Sequence, residues 1–303
     1  MHRCSLGGRC LRCSLLTSAV CDDPRSAILA SHQPYLRSSL LKLEGENTAL
    51  SQSGRVRLLR GFFPLFLGLT LAACATPQVQ PYETLDAGSL ITTVQGQATF
   101  LGTSIPDVQY SKIYRDSNLC GEEVTGEELN VAEGSRGIEG VIVSLEGIAK
   151  GKPVPKKEVI GIENRGCRFI PYVNATTVGS TLQIQNTDPI LHNTHARFES
   201  RFGRTIWNIA QPAGAQGISK SFAQAGLVDV RCDLHPNMRS YIQVFDHPYF
   251  TITDAEGFFE FKSVPAGTYQ LTAWHARLGS KGKSITVPQS GTVMTDIGML
   301  LKR

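Results

Sequence analysis

The chain has 303 residues, with 29 glycines and only 18% charged residues, enough for one large or two modest domains with real cores. Its net charge of +4 belongs to the N-terminus: residues 1–74 hold 9 of the 30 basic and 4 of the 26 acidic residues, leaving 21 basic against 22 acidic in the rest. That near-neutral body lacks the basic footprint of a nucleic-acid-binding protein, and the lack of heptads and charge blocks excludes a coiled coil.

Residues 1–54 carry Cys4, Cys10, Cys13 and Cys21 and show no apolar period. They read as an extension without a function of its own, upstream of a start near Val56; the rival reading is a transit peptide, since the segment is rich in Arg and Ser and poor in acid. Cys10 and Cys13 make half a zinc-type pair with no second half. Residues 55–73 run from the basic "RVRLLR" into the apolar "GFFPLFLGLTLAA", too short to span a bilayer. With "LAAC" at Leu71–Cys74 the order resembles a bacterial lipoprotein signal, which implies lipidation of Cys74; Ala75 after it implies the periplasmic side of the outer membrane. A plain secretory signal cut near Ala73 is the alternative. Residues 74–89, polar and Pro-containing, read as a tether.

From Leu90 onward short apolar runs alternate with Gly, Pro and Asn turns. "TTVQGQATF" (92–100), "GVIVSLEGI" (140–148), "STLQIQNT" (180–187), "GLVDVRC" (226–232) and "SYIQVF" (240–245) read as strands. Spaced short strands with turn signals predict an all-β fold of sandwich or barrel type. The pattern T-D-x-x-G-x-F-x-F-x-x-V-P-x-G-x-Y-x-L, within 250–279, resembles the carboxypeptidase regulatory-like domain, which implies a small accessory β-sandwich over 248–303. No H-x-x-E zinc pair accompanies it.

The chemistry concentrates in "RCDLHPNM", 231–238. In the strand before it Val228, Val230 and Cys232 share one face and Asp229 and Arg231 the other, so Cys232 points inward. By itself that is a buried thiol acting as a small hydrophobe. His235 and Met238 stand on the turn that leaves the strand, stiffened by Pro236. "NTDPILHNTHARF" (186–198) offers a fourth ligand, His192 or His195. His192 is preferred because the backbone N–H of the following Asn193 can donate to the cysteine sulfur; His195 is then a neighbour. Two imidazoles, a thiolate and a thioether are the ligand set of a blue-copper electron-transfer site, whereas zinc has no need of the thioether.

Together, "GSTLQIQNTDPILHNTH" and "FAQAGLVDVRCDLHPNMR" resemble the cupredoxins, closest to the amicyanin-like type with a C-x2-H-x2-M loop. The resemblance implies a Greek-key cupredoxin β-sandwich over 90–247, one type 1 copper held by His192, Cys232, His235 and Met238, and Asn193 in the shell around it. Val228 and Val230 stand where the family carries tyrosines.

Cys120 and Cys167 remain after Cys232 is assigned, and an exported compartment permits a disulfide between them; two free thiols or a second metal site are the alternatives. His247 and His275 read as domain-junction residues, with a second metal site as the alternative. Arg197, Arg201 and Arg204 form a basic run, either a solvated loop or a surface for an acidic redox partner. With no nucleophile elbow, paired-acid motif or phosphate loop, the chain does not read as an enzyme. The expected function is single-electron carriage between redox partners such as a periplasmic cytochrome. Copper delivery or tolerance, and a structural module with an incidental site, are the alternatives.

Overall fold

The structure, a computed structural model, describes residues 81–125 and 129–301. The expectations for the 1–54 extension, the 55–73 signal and Cys74 lie outside the described residues. The fold is all-β: two sandwiches, each with its own core, and two single turns of helix at Ala87–Ser89 and Ser117–Cys120.

The first sandwich pairs a sheet ordered Ile218–Ser221, Thr181–Asn186, Val159–Asn164, Phe169–Ile170 with one ordered Thr205–Gln211, His192–Phe198, Gly226–Arg231, Arg239–Phe245, Val173–Thr177. Most neighbours are antiparallel, but Thr181–Asn186 runs parallel to Val159–Asn164 and Arg239–Phe245 parallel to Val173–Thr177. Such pairings require the chain to cross between sheets. Ile162, Leu182, Ile184, Val228, Val230, Ile242 and Val244 fill the space between, each at most 1% exposed. Period-two alternation explains these choices: Leu182 and Ile184 face in while Gln183 and Gln185 do not.

The second sandwich is not confined to the C-terminal residues. Ile91–Phe100 pairs with Phe258–Val264 and Ser290–Met294, and Ile142–Glu146 pairs with Phe250–Ile252 and Gly267–His275. Val94, Ala98, Phe100, Val143 and Leu145 are buried with Tyr249, Phe261 and Leu271 in one cluster. The linear division into 90–247 and 248–303 therefore differs from the sheets. The first sandwich lies between two adjacent antiparallel strands of the second, with Phe250 opposite Ser144 and Leu145 N–H donating to Tyr249 O at 3.0 Å. Adjacent exit points are what an inserted domain requires.

The tether also ends earlier than expected. Glu83–Thr84 pairs in parallel with Lys150–Gly151, the Tyr82 hydroxyl donates to Lys152 O at 2.7 Å, and Tyr82 packs on the second core.

Candidate metal centre

Two neighbouring strands position the loop. Arg231 and Arg239 are register partners on Gly226–Arg231 and Arg239–Phe245, so residues 232–238 bridge a fixed gap. Inside it Met238 N–H donates to His235 O at 2.9 Å and Cys232 N–H to Met238 O at 3.4 Å. On the other side Gly226–Arg231 pairs with His192–Phe198, with His195 opposite Arg231, so His192 reaches past the strand end to lie beside the loop. The start of that strand is held by buried polar groups. Thr194 Oγ1 and Asn164 Nδ2 both donate to Gln211 Oε1 at 3.1 Å, and Asn186 Nδ2 donates to Gln211 O at 2.8 Å.

Cys232, His192, His235 and Met238 are each at most 2% exposed. Cys232 Sγ lies 4.0 Å from His192 Nδ1 and 3.7 Å from His235 Nδ1, and the two Nδ1 atoms are 3.1 Å apart. Cys232 points inward as strand parity predicts. Asp229, read as outward, is also buried: its carboxylate pairs with Arg231 Nε at 2.6 Å, so the second face of this strand is covered too.

The outer nitrogens of both rings are committed. His192 Nε2 lies 2.9 Å from Asp188 Oδ2, and His235 Nε2 lies 3.0 Å from Asp116 Oδ2. An ionised carboxylate only accepts, so each Nε2 is the donor in its pair, and a ring that carries that one proton leaves its Nδ1 free to accept. Burial alone pushes the Asp188 carboxyl up. The N–H groups of Cys167 (2.9 Å) and Gly166 (2.7 Å), with the His192 ring, outweigh it and hold the carboxyl below the ordinary value. Burial pushes the His192 imidazole down, against the pull of Asp188, so the ring stays neutral.

Asn193 ties strand to loop. Its backbone N–H donates to Cys232 Sγ at 3.5 Å, its Oδ1 accepts from Asp233 N–H at 2.7 Å, and its Nδ2 donates to Asp233 Oδ2 at 2.9 Å. His195 lies on the other side of the strand. Its Nδ1 meets the Asp233 carboxylate at 2.9 Å and its Nε2 the Thr205 hydroxyl at 2.9 Å, so both nitrogens are used outside the cluster. Arg197 folds back onto the chain, with Nε donating to His195 Nε2 at 3.1 Å and Nη1 to Arg201 O, and the Arg201 guanidinium lies over the Phe202 ring.

Cys120 and Cys167 form a disulfide, and Cys232 is the free cysteine among the described residues. Cys167, Asp188 and His192 also converge, but the disulfide removes that sulfur from metal binding. His247 and His275 belong to no ligand cluster among the described residues. Each accepts a turn N–H on Nδ1, from Tyr249 and Arg277 respectively, and burial lowers both rings, His275 to about 4. Sequence reasoning missed the two carboxylates. Asp188 had a signal, standing four residues before His192, but reads as a strand breaker before Pro189. Asp116 had none, being 119 residues from its partner.

The residues present fit a soft metal ion. Two buried lone pairs aimed at one another 3.1 Å apart, with a thiol sulfur within 4.0 Å of both, are mutually repulsive unless a cation or proton lies between them.

A family model, that of polysaccharide lyase family 4 domain II, matches residues 238–295; it overlaps the 248–303 stretch expected to be a carboxypeptidase regulatory-like domain but is a different family. No curated protein matches the chain. Among solved structures, the Cu-containing nitrite reductase of Thermus scotoductus is similar at 20% identity and TM-score 0.26, over 39% of this chain and 25% of that one, so the chain spans a quarter of its length. Amicyanin from Paracoccus versutus is similar at 24% identity and TM-score 0.25, over 30% of this chain and 85% of that one. A purple cupredoxin from Nitrosopumilus maritimus is similar at 20% identity and TM-score 0.24, over 28% of this chain and 98% of that one.

Proposed function

We propose that the protein is a type 1 copper protein that carries single electrons, without catalysis, between redox partners on the periplasmic side of a membrane to which a lipid on Cys74 anchors it. The observation that carries the reading is the buried pair of Nδ1 acceptors facing each other beside Cys232 Sγ, with both Nε2 atoms spent on carboxylates. His192, Cys232 and His235 would hold the ion, with the buried Met238 that closes the loop as the fourth ligand. Copper bound there supplies a one-electron couple: the sulfur ligands favour the reduced ion, and imidazole accommodates both states. The chain's own part is to hold the donors still. Asp188 and Asp116 orient the two rings, Asn193 N–H donates to the sulfur, and the register-locked strands keep the loop from opening. A redox protein such as a cytochrome is the partner of this reading. A pocket of about 890 Å³ lies against the same loop, lined in part by Tyr110, Lys112, Tyr172, Met238 and Arg239, and offers an approach to it.

The test is to add Cu(II) to the purified protein and record visible and EPR spectra. An intense thiolate-to-copper band that disappears in Cys232→Ser is expected. A colourless protein, or a band that survives Cys232→Ser, rejects the reading.

A further inference from the structure

Between the Ile91–Phe100 and Ile142–Glu146 strands, residues 110–125 pair with neither sandwich's sheets, yet they touch the candidate metal centre. Among them Tyr110–Lys112 and Glu123–Thr125 pair as a small antiparallel ribbon, and the turn of helix Ser117–Cys120 sits at its tip. Asp116 starts that turn. It is a non-glycine residue in the left-handed region, φ 54°, and its carbonyl accepts from Leu119 and Cys120 N–H at 2.9 Å. Aspartate enters that region more readily than most side chains, and here the conformation opens the helical turn that carries Cys120. Its carboxylate meets His235 Nε2 at 3.0 Å and leaves that ring 1% exposed.

The Cys120–Cys167 disulfide ties the tip to the sandwich. Cys167, also left-handed at φ 55°, follows Gly166 at φ 59°, and the two successive N–H groups point at the Asp188 carboxylate that meets His192. One covalent link thus joins both carboxylate–imidazole pairs: Asp116 lies four residues before one sulfur, and the other sulfur's own backbone holds Asp188.

Building on the copper reading, we propose that Asp116 is a positioning residue for His235, and that the Cys120–Cys167 disulfide is the clasp that keeps it there. A carboxylate on the outer N–H of a ligating imidazole fixes the ring and raises its basicity. The added negative charge stabilises Cu(II) over Cu(I), because the higher charge gains more from it. Severing the clasp frees the segment and withdraws both effects from His235 without altering any ligand.

The experiment compares the wild-type protein with Asp116→Asn, Asp116→Ala and the double variant Cys120→Ser/Cys167→Ser, each loaded with Cu(II). Copper affinity is read by chelator competition, the copper environment by EPR, and the midpoint potential by redox titration. Asp116→Ala is expected to lose 10- to 100-fold in Cu(II) affinity. Its potential should rise by an amount equivalent to about tenfold in Cu(II)/Cu(I) preference, about 59 mV for one electron. Asp116→Asn keeps an acceptor and loses the charge, so it should retain more affinity than the alanine variant while its potential still rises. The double cysteine variant should move EPR and potential in the same direction as Asp116→Ala. A clasp with a purely structural role would lower only the denaturation midpoint. If the double variant does not fold, the two Asp116 variants decide alone. Asp116 variants with wild-type affinity, spectrum and potential overturn this inference and leave the copper reading intact; a wild-type protein that takes up no Cu(II) with a thiolate band removes both.

Discussion

Replacing Asp188 by alanine should damage the protein before any metal is added. The carboxylate accepts from Gly166 N–H at 2.7 Å, Cys167 N–H at 2.9 Å and His192 Nε2–H at 2.9 Å. Cys167 and His192 are at most 1% exposed, so their donors have little access to water, whereas Gly166 is exposed and its N–H can be hydrated. A buried donor stripped of its partner costs about 1–3 kcal/mol. Because the two buried donors share one partner and relax together, their costs do not add in full, and the expected loss is about 2–4 kcal/mol. Asp188→Asn keeps Oδ1 as an acceptor and should lose roughly half as much. Urea denaturation of the metal-free protein measures this as a fall in midpoint at constant slope. The effect also has a pH signature. The native carboxyl is held below its ordinary value of 3.8, so its stabilisation is complete above that pH and is lost as pH falls through the native value. The gap between wild type and Asp188→Ala should therefore be widest near neutrality and narrow in acid. An alanine variant with wild-type urea midpoint and copper affinity would refute the assignment of Asp188 as the anchor of His192.

Acid should weaken the metal-free protein in a window set by buried histidines away from the centre. His275 titrates near 6.5 unfolded but about 4 folded, so stability falls as pH drops from 6.5 to about 4, by roughly 3 kcal/mol at about 1.36 kcal/mol per pH unit; His247 adds to the loss in the same direction. Thermal melts across that range test this, and a melting point independent of pH contradicts it. Gly226→Ala places a Cβ 2.3 Å from the Phe198 ring at φ 139°, and should cost about 2 kcal/mol in urea midpoint. Asn193→Ala removes the two hydrogen bonds between Asn193 and Asp233, leaves the His195 contact in place, and should cost about 2 kcal/mol. On copper addition it should also shift the thiolate band; an unchanged spectrum and midpoint would show that Asn193 does not brace the loop.

The all-β class and the nearness of Cys232 to His235 were legible because both rest on local rules. Alternation of period two marks a strand whatever it pairs with, and three residues on a turn that closes between strands cannot stray far apart. The same rule hid the domain boundary. Thr92, Val94, Ala98 and Phe100 alternate as cleanly as Leu182 and Ile184, and nothing in the period says that their partners stand at Phe258–Val264. Parity also predicts only which way Asp229 points, not that Arg231 and the neighbouring strands cover that face. Asp116 was out of reach for a related reason. Its place depends on a left-handed backbone that leaves no local pattern, and on a disulfide that the cysteine count suggested without showing that it brings Asp116 to His235.

Access to the site bears on which cargo the proposed copper represents. A protein that hands copper ions on needs a ligand able to swing out of the site; the pocket beside the loop would admit a partner in either case. Here each imidazole is clamped on its far side by a carboxylate, the four candidate ligands are at most 2% exposed, and the loop is closed by its own backbone hydrogen bonds between register-locked strands. Withdrawing the ion would also leave two ring nitrogens 3.1 Å apart in a buried site, so a proton must take the place of the departing cation. Electron transfer asks instead that the donors stay in place as the ion changes charge, which is the part proposed for Asp188, Asp116 and Asn193. On these grounds the arrangement favours a retained ion that exchanges electrons over a labile ion that is passed on.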